Sequence, residues 1–196
     1  MGKYDNGSPL TLDMSDLRTK SRAMQAAMSE EQFRKLIYRT MSEVGKRGKT
    51  IIAREVVKQY AVTQTWAREC IQNYTVKWAG KDIDCWIPMS GHKGVIGKTF
   101  KRAGGKRNIS AKIVKGKVSK LPNVFDNRGG NAPFVAQDGV VYTRRTKKAL
   151  PIVRISGLGL PQMPINLASE DVQDAFLDLA GKRLEHNFNY LMSFKA

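Results

Sequence analysis

Residues 98–154 read KTFKRAGGKRNISAKIVKGKVSKLPNVFDNRGGNAPFVAQDGVVYTRRTKKALPIVR, and this basic stretch is the best guide to the fold. It contains fifteen lysines and arginines but only two acids, Asp126 and Asp138, so it carries +13 of the chain's formal charge of +17. Apolar residues alternate in it, for example from Ile109 to Ile113. A period of two predicts strands with a positive solvent face, and not a disordered tail. Such a face indicates a polyanionic ligand or an acidic protein partner.

Upstream of the basic stretch, helical signals replace strand signals. Ser29 and Gln32 form a capping box, in which the serine oxygen accepts from the Gln32 amide and the glutamine reaches back. Apolar residues then recur at helical spacing, which predicts a long helix over residues 30–60. Gly45 and Gly48 are expected to be its weak points, because glycine is a poor helix former.

After this helix, the sequence predicts a helix hairpin and then strands. Thr63 is placed to cap a second, short helix that reaches Ile71. Apolar residues alternate in residues 74–78 and again in residues 83–87, with turn residues between the two runs. Five glycines mark residues 90–108 as a basic loop.

Further turns are expected within the basic stretch itself. The strand that starts at Ile109 changes face near Gly116, which indicates a β-bulge. The pair Asp138-Gly139 predicts a hairpin with a primed turn, because it tolerates positive φ. A last strand over residues 150–155 contains a proline, so we expect it at a sheet edge or at a strand end.

A C-terminal helix closes the chain. Ser169 is expected to start it, with Glu170 and Asp171 at the positive end of the helix dipole. The element order predicts an α+β fold with a long N-terminal helix, a short helix hairpin, a mostly antiparallel β-sheet and a C-terminal helix packed on the sheet. We expect an N-terminal lead with a short helix in residues 1–28 and a single α+β domain in residues 29–196.

The composition argues against several protein classes. No apolar run approaches the ~20 residues that a membrane span requires, and the first residues lack the apolar core of a signal peptide. The chain has only two cysteines, Cys70 and Cys85, which is too few for a disulfide scaffold. These features predict an intracellular protein, or one that is assembled inside a cell.

Motifs for catalysis are weak. Five residues lie between Gly91 and the Gly-Lys-Thr at residues 97–99, whereas a P-loop has four there. The cysteines and the two histidines, His92 and His186, lack the close spacing of zinc ligands. Cys85 and His92 as a nucleophile and its base remain an alternative, although no third residue is evident to orient the histidine. We predict no enzymatic activity, no metal and no cofactor.

One interpretation of the positive charge is a helix-turn-helix. Residues 52–71 match that motif loosely and would place Gln64, Thr65 and Arg68 in a DNA major groove. Trp66 would have to be accommodated on the same reading helix, and most of the positive charge lies elsewhere in the sequence. We therefore favour a helix hairpin packed under the sheet for these residues.

The other interpretation assigns binding to the strands of the basic stretch. Aromatic residues are sparse there, which argues against a base-stacking platform. Contact with duplex phosphates or with an acidic protein ring fits better, and a merely solvated basic face is the remaining reading. The candidate binding residues, chosen by charge alone, are Lys98, Lys101, Arg102, Lys106, Arg107, Lys112, Lys115, Lys117, Lys120, Arg128, Arg144, Arg145, Lys147 and Lys148.

Three segments in a fixed order give the chain a family resemblance. They are the lysine-containing strand at residues 109–115, the Phe-containing hairpin with a basic exit at residues 132–145, and residues 142–163, YTRRTKKALPIVRISGLGLPQM. Together with the terminal helix, this order resembles the minor tail protein Z family of tailed bacteriophages and prophages, also called tail-completion proteins. The resemblance covers roughly residues 30–194, and residues 142–163 are its most specific part.

The resemblance implies a non-enzymatic virion protein, assembled in the host cytoplasm, at the head-proximal end of the tail. There it would complete the tail for head–tail joining, as a homo-oligomeric ring around the DNA channel for which six subunits is one candidate number. Its partners would be other tail and neck proteins, such as the tail terminator and the head–tail connector rings, and packaged DNA contacted without sequence preference. The chain departs from the family in its polar lead, residues 1–9, and in its Trp- and Cys-bearing strands, residues 76–87.

The alternative function is a helix-turn-helix DNA-binding protein.

Overall fold

The computed structural model describes residues 15–80, 82–105, 109–121, 132–144 and 150–193. Within these segments the chain forms four α-helices, ten short strands and one 3₁₀ helix. The elements are α1 (Ser15–Gln25), α2 (Glu30–Gln59), α3 (Gln64–Glu69), β1 (Thr75–Ala79), β2 (Asp82–Trp86), β3 (Lys93–Val95), β4 (Lys101–Ala103), β5 (Ser110–Lys112), β6 (Ser119–Lys120), β7 (Phe134–Val135), β8 (Val141–Arg144), β9 (Ile152–Arg154), β10 (Ser156–Gly159), the 3₁₀ helix (Leu160–Gln162) and α4 (Ser169–Ser193).

The predicted α+β class is confirmed, but the β-structure is divided. The described strands form four small sheets, with the orders β1–β2, β3–β10, β4–β5–β6 and β7–β8–β9. Every pairing between these strands is antiparallel. The strands span two to five residues each.

The long helix α2 begins where the capping box predicts. The Gln32 amide donates to Ser29 Oγ at 3.3 Å, and the Ser29 amide donates to Gln32 Oε1 at 3.2 Å. The helix then runs unbroken for 30 residues, about 45 Å at 1.5 Å per residue. It ends at Tyr60, whose backbone is extended. The prediction of a helix over residues 30–60 is therefore confirmed.

Gly45 and Gly48 are contact points on α2 and not breaks in it. A Cβ atom added to Gly45 would lie 2.4 Å from the Tyr74 ring and 3.0 Å from the Cys85 sulfur. One added to Gly48 would lie 3.2 Å from the Phe176 ring of α4. Glycine therefore lets the β1–β2 hairpin and α4 approach the helix axis, which explains why poor helix formers are found in the middle of the longest helix.

Replacing Gly45 by alanine is expected to lower the free energy of unfolding by about 1–2 kcal/mol. Overpacking should cost about 2–3 kcal/mol here, the upper part of the usual range, because the added atom would lie 2.4 Å from the Tyr74 ring. Alanine regains about 1 kcal/mol of this as the better helix former. Gly181→Ala is the matched control, because its Cβ would lie 3.7 Å from Leu17 at ordinary contact distance. That control should stabilise the protein by about 0.5–1 kcal/mol in urea unfolding. Equal effects of the two substitutions would contradict the packing role of Gly45.

The helix hairpin and the first strands also follow the predictions. The Trp66 amide donates to Thr63 Oγ1 at 3.2 Å, which caps α3. Strands β1 and β2 pair from Thr75↔Trp86 to Ala79↔Asp82, with the expected turn between them. Residues 90–108 are not simply a loop, because β3 and β4 lie within them; residues 106–108 are outside the described segments.

Two of the predicted turns differ in type. Near Gly116 there is no bulge but a reverse turn, in which the Lys117 amide donates to the Val114 carbonyl and the chain returns to form β6. The hairpin turn is not primed: Gly139 has φ of +77°, but no described residue other than glycine has positive φ, so Asp138 does not. The Asp138 carboxylate instead accepts from the Val140 amide at 3.0 Å, which holds a three-residue loop.

Three backbone hydrogen bonds join two of the small sheets. The Ile96 amide donates to the Ile155 carbonyl, the Ile155 amide to Val141 and the Val141 amide to Ile96, at 2.9–3.2 Å. Residues 150–155 contain β9, which lies at the edge of its sheet with Pro151 just before it, as expected. The strand β10 that follows pairs with β3.

The helix α4 starts at Ser169 as predicted and packs most extensively along α2. Its buried residues, Val172, Phe176, Ala180 and Leu184, complete a core shared with α2, α3 and the strands. At the far end, Asn187 is fully buried and donates to Thr40 Oγ1 at 3.3 Å. The shorter α1 contacts the outside of α4, where Lys20 pairs with Glu185.

Candidate functional site

Eight of the fourteen candidate binding residues lie in the described segments, and the strands bring part of them together. These eight are Lys98, Lys101, Arg102, Lys112, Lys115, Lys117, Lys120 and Arg144. The other six lie outside the described residues: Lys106, Arg107, Arg128, Arg145, Lys147 and Lys148.

Three lysines share one face of the β4–β5–β6 sheet, which we call the lysine face. In the antiparallel register, Lys101 lies directly opposite Lys112, and Ser110 lies opposite Lys120. Opposed residues project to the same side, and side chains alternate along each strand, so Lys101, Lys112 and Lys120 project together. All three are exposed, whereas Ala111 between them is buried on the other side.

The lysine face carries charge without compensation from the described residues. Like charges directly opposite on paired strands destabilise a sheet. All seven salt bridges among the described residues join helical side chains, such as Lys20–Glu185 and Lys182–Asp178. Within the described segments, seven cations of the helices thus have acidic partners, and no cation of the strands has one. An external anion would relieve the repulsion.

The other candidate lysines in the described segments, Lys98, Lys115 and Lys117, lie in the turns next to the strands of this sheet. Lys115 and Lys117 lie on either side of the Gly116 turn, and both are exposed. Lys98 is exposed in the turn between β3 and β4, whereas Arg102 pairs with Ala111 and projects to the opposite side of the sheet from Lys101. The arrangement can contact a line of phosphates, because it combines several flexible cations on a scaffold held by the buried residues beneath it.

Arg144 lies in a different environment, which sequence reasoning missed. Phe134, Tyr142 and Arg154 lie side by side across β7, β8 and β9, with Arg144 and Ile152 paired in the next row of the same face. The Phe134 and Tyr142 rings stack with centroids 6.2 Å apart, and the Arg144 guanidinium lies 4.8 Å from the Phe134 centroid. We call these five residues the aromatic platform.

The sparseness of aromatic residues in the basic stretch concealed this platform. Phe134 and Tyr142 are eight positions apart in sequence, and only the hairpin register places them together. Arg154, which the charge-based selection omitted, joins them from the next strand. The sequence signal that could have revealed the platform was the alternation of residues along the strands, which places Phe134 and Tyr142 on the same face once the strands are paired. Desolvation and then the hydrogen bond to Asp138 raise the pKa of Tyr142, so its hydroxyl stays protonated at neutral pH.

The Gly-Lys-Thr sequence at residues 97–99 forms a tight turn and not a phosphate-binding loop. Gly97 has φ of +97°, and a Cβ atom there would lie 2.2 Å from the Gly139 carbonyl oxygen, so both conformation and space require glycine. The Thr99 hydroxyl accepts from the Val95 amide at 3.2 Å. Strand β4 follows this turn, whereas a P-loop leads into a helix whose N-terminus faces the phosphate.

The cysteines have the environment of structural thiols. Cys70 is buried and Cys85 is half-buried against Gly45. Burial raises the pKa of both thiols, which is the opposite of what a nucleophilic cysteine needs near neutral pH. Within the described residues, no group of three or more His, Cys, Asp or Glu side chains could hold a metal ion.

The helix-turn-helix candidate has mixed geometry. Gln64, Thr65 and Arg68 are exposed, as DNA reading would require. However, α3 is six residues long, about 9 Å, and the Trp66 ring lies 6.4 Å from the buried Phe100 ring. This short helix therefore also serves as a cover for the core.

Comparisons of the chain with protein-family models, with curated proteins and with solved structures give no match. In the segments that the structure describes, no helix combines the length and the apolar character needed to cross a bilayer.

Proposed function

We propose that this protein is a non-enzymatic structural component of a tailed bacteriophage or prophage. In this proposal it completes the head-proximal end of the tail for head–tail joining, as a ring of subunits around the DNA channel. It would be assembled in the host cytoplasm and retained in the virion. The lysine face would meet DNA phosphates or an acidic neighbouring ring, such as the tail terminator or the head–tail connector.

The observation that carries this proposal is the lysine face on a folded scaffold. Opposed lysines with no acidic partner among the described residues cost stability, so they are best explained by an anion that is present in the working state. The order of elements that resembles tail-completion proteins supports the same function. In particular, residues 142–163 span β8, β9, β10 and the 3₁₀ helix, and end at the buried Met163.

A helix-turn-helix DNA-binding protein is the second candidate, because Gln64, Thr65 and Arg68 are exposed on a properly capped helix. The two functions predict different DNA preferences. A channel component contacts phosphates and binds all duplex sequences with the same affinity. A helix that contacts base edges binds some sequences more tightly than others, and this ratio of affinities persists at high salt.

The test measures the mass of the purified protein and its affinity for duplex DNA over a series of salt concentrations. We expect an oligomer that binds unrelated duplexes equally, with log K falling by about 0.9 per phosphate contact for each tenfold rise in salt. A dimer that keeps a preference for one sequence at high salt would instead identify the helix-turn-helix function. Oligomers without any DNA affinity would leave an acidic protein ring as the partner of the lysine face.

A further inference from the structure

The β1–β2 hairpin presents a second unusual surface, opposite in character to the lysine face. Its inner residues pack on α2, and its outer face carries Asp82, Asp84 and Trp86 on alternate positions of β2. Trp86 is 61% exposed, although tryptophan is among the side chains that benefit most from burial. We call these three residues the Trp86 ridge.

The Trp86 ridge is acidic on a strongly basic chain. Neither Asp82 nor Asp84 forms a salt bridge with another described residue. Lys77 lies opposite Asp84 in the strand register, but no ion pair closes between them. Such a ridge cannot share the polyanion that the lysine face would bind, and the surface complementary to it is basic with an apolar or aromatic centre.

The chain itself offers a surface of that kind, the aromatic platform. Arg154 and Ile152 are exposed there, and Arg144 has a buried Nε donor without a described hydrogen-bond partner. Stacked Phe134 and Tyr142 rings supply the flat apolar area that an indole packs against. Tryptophan, tyrosine and arginine are the residues that most often dominate binding energy in protein interfaces.

We propose that the Trp86 ridge of one subunit docks on the aromatic platform of a second copy of this chain. Trp86 would stack beside Phe134 and Tyr142, and the ridge carboxylates would accept hydrogen bonds from Arg144 and Arg154. The two surfaces differ, so the contact is heterologous, and repetition of such a contact closes a ring or extends a filament. This inference rests on the proposed ring and names the contact that would build it.

The test is a charge exchange, read out as the mass of the protein by sedimentation velocity over a concentration series. Asp84→Arg alone and Arg154→Asp alone are each expected to weaken self-association at least tenfold, because each places like charges in the contact. Their combination should restore association to within about threefold of the unmodified protein. Trp86→Ser should weaken it about thirtyfold or more, the scale of an interface hot spot.

Asp174→Arg is the matched control, since Asp174 is exposed on α4 and forms no salt bridge with a described residue. It should leave self-association unchanged. An equal effect of the control, or a double variant no better than its parents, would overturn the proposed contact. Unchanged oligomers in all variants would overturn the contact while leaving the ring itself standing.

Three further outcomes separate this inference from the proposed function. Loss of single-stranded DNA binding in Arg154→Asp, with self-association intact, would assign the platform to nucleic acid and reject the docking proposal. A protein that is monomeric at every concentration, with and without DNA, would reject both the contact and the ring. Association that shows the charge exchange but no affinity for duplex DNA would support the contact and weaken the channel function.

Discussion

Simultaneous replacement of Lys101, Lys112 and Lys120 by glutamate is expected to lower the affinity for duplex DNA by two to three orders of magnitude. Each lysine that contacts a phosphate contributes about 0.9 to the slope of log K against log salt. Between 1 M and 0.1 M salt, such a slope means that each contact raises log K by about 0.9. Loss of three contacts should therefore also reduce the slope by about 2.7.

The fold should survive this triple replacement. All three side chains are exposed, so their replacement costs no packing, and repulsion among three glutamates takes the place of repulsion among three lysines. Circular dichroism and a urea midpoint within error of the unmodified protein would show this. Fluorescence anisotropy with a labelled duplex gives the affinity and the salt slope.

A second triple variant controls for net charge. Arg22, Lys46 and Arg47 are exposed on α1 and α2, form no described salt bridge, and give the same charge change when replaced by glutamate. We expect less than a tenfold loss of affinity from this control. Equal losses in the two triple variants would mean that net charge, and not the lysine face, determines binding.

Phe100→Ala is expected to lower the free energy of unfolding by about 3–5 kcal/mol, the largest effect on stability that we predict. The ring is fully buried and joins parts of the chain that are distant in sequence. Cβ atoms added to Gly94 or Gly157 would lie 2.4 and 2.7 Å from it, so the ring fills the space between β3 and β10. The neighbouring Trp66 belongs to α3, and rigid backbone on two sides limits collapse of the cavity.

Urea unfolding measures this loss of unfolding free energy as a shift of the midpoint concentration, provided that the slope m of free energy against urea concentration is unchanged. Trp86→Ala serves as the comparison, because it removes a larger ring from an exposed position and should cost about 0.5 kcal/mol or less in the monomer. Phe100→Leu keeps most of the volume and should recover more than half of the loss. A cost below 1 kcal/mol for Phe100→Ala would show that these sheets are not held together through this ring.

Elements with local signals were predicted well. The capping box at Ser29 and the cap at Thr63 depend on hydrogen bonds within a few residues of each other, and the start of α4 at Ser169 is marked by the acids Glu170 and Asp171 in its first turn. Short turns were located correctly but assigned the wrong type. The Asp138 carboxylate contributes a side-chain hydrogen bond that a dipeptide rule does not include, and the chain reversal at Gly116 depends on where β6 pairs.

Composition and periodicity are local properties, so the sequence alone was enough to predict the α+β class, the long helix and the concentration of positive charge in residues 98–154. Which of these charges become neighbours depends on how the strands pair in the folded protein. Antiparallel pairing places Lys101 opposite Lys112 and brings Phe134, Tyr142 and Arg154 into one row. Register is set by burial of the other face of each strand, and that burial depends on residues far away in the chain. Tertiary packing likewise explains Gly45 and Gly48, which the sequence indicates as weak points of the helix but which allow Tyr74 and Phe176 to approach its backbone closely.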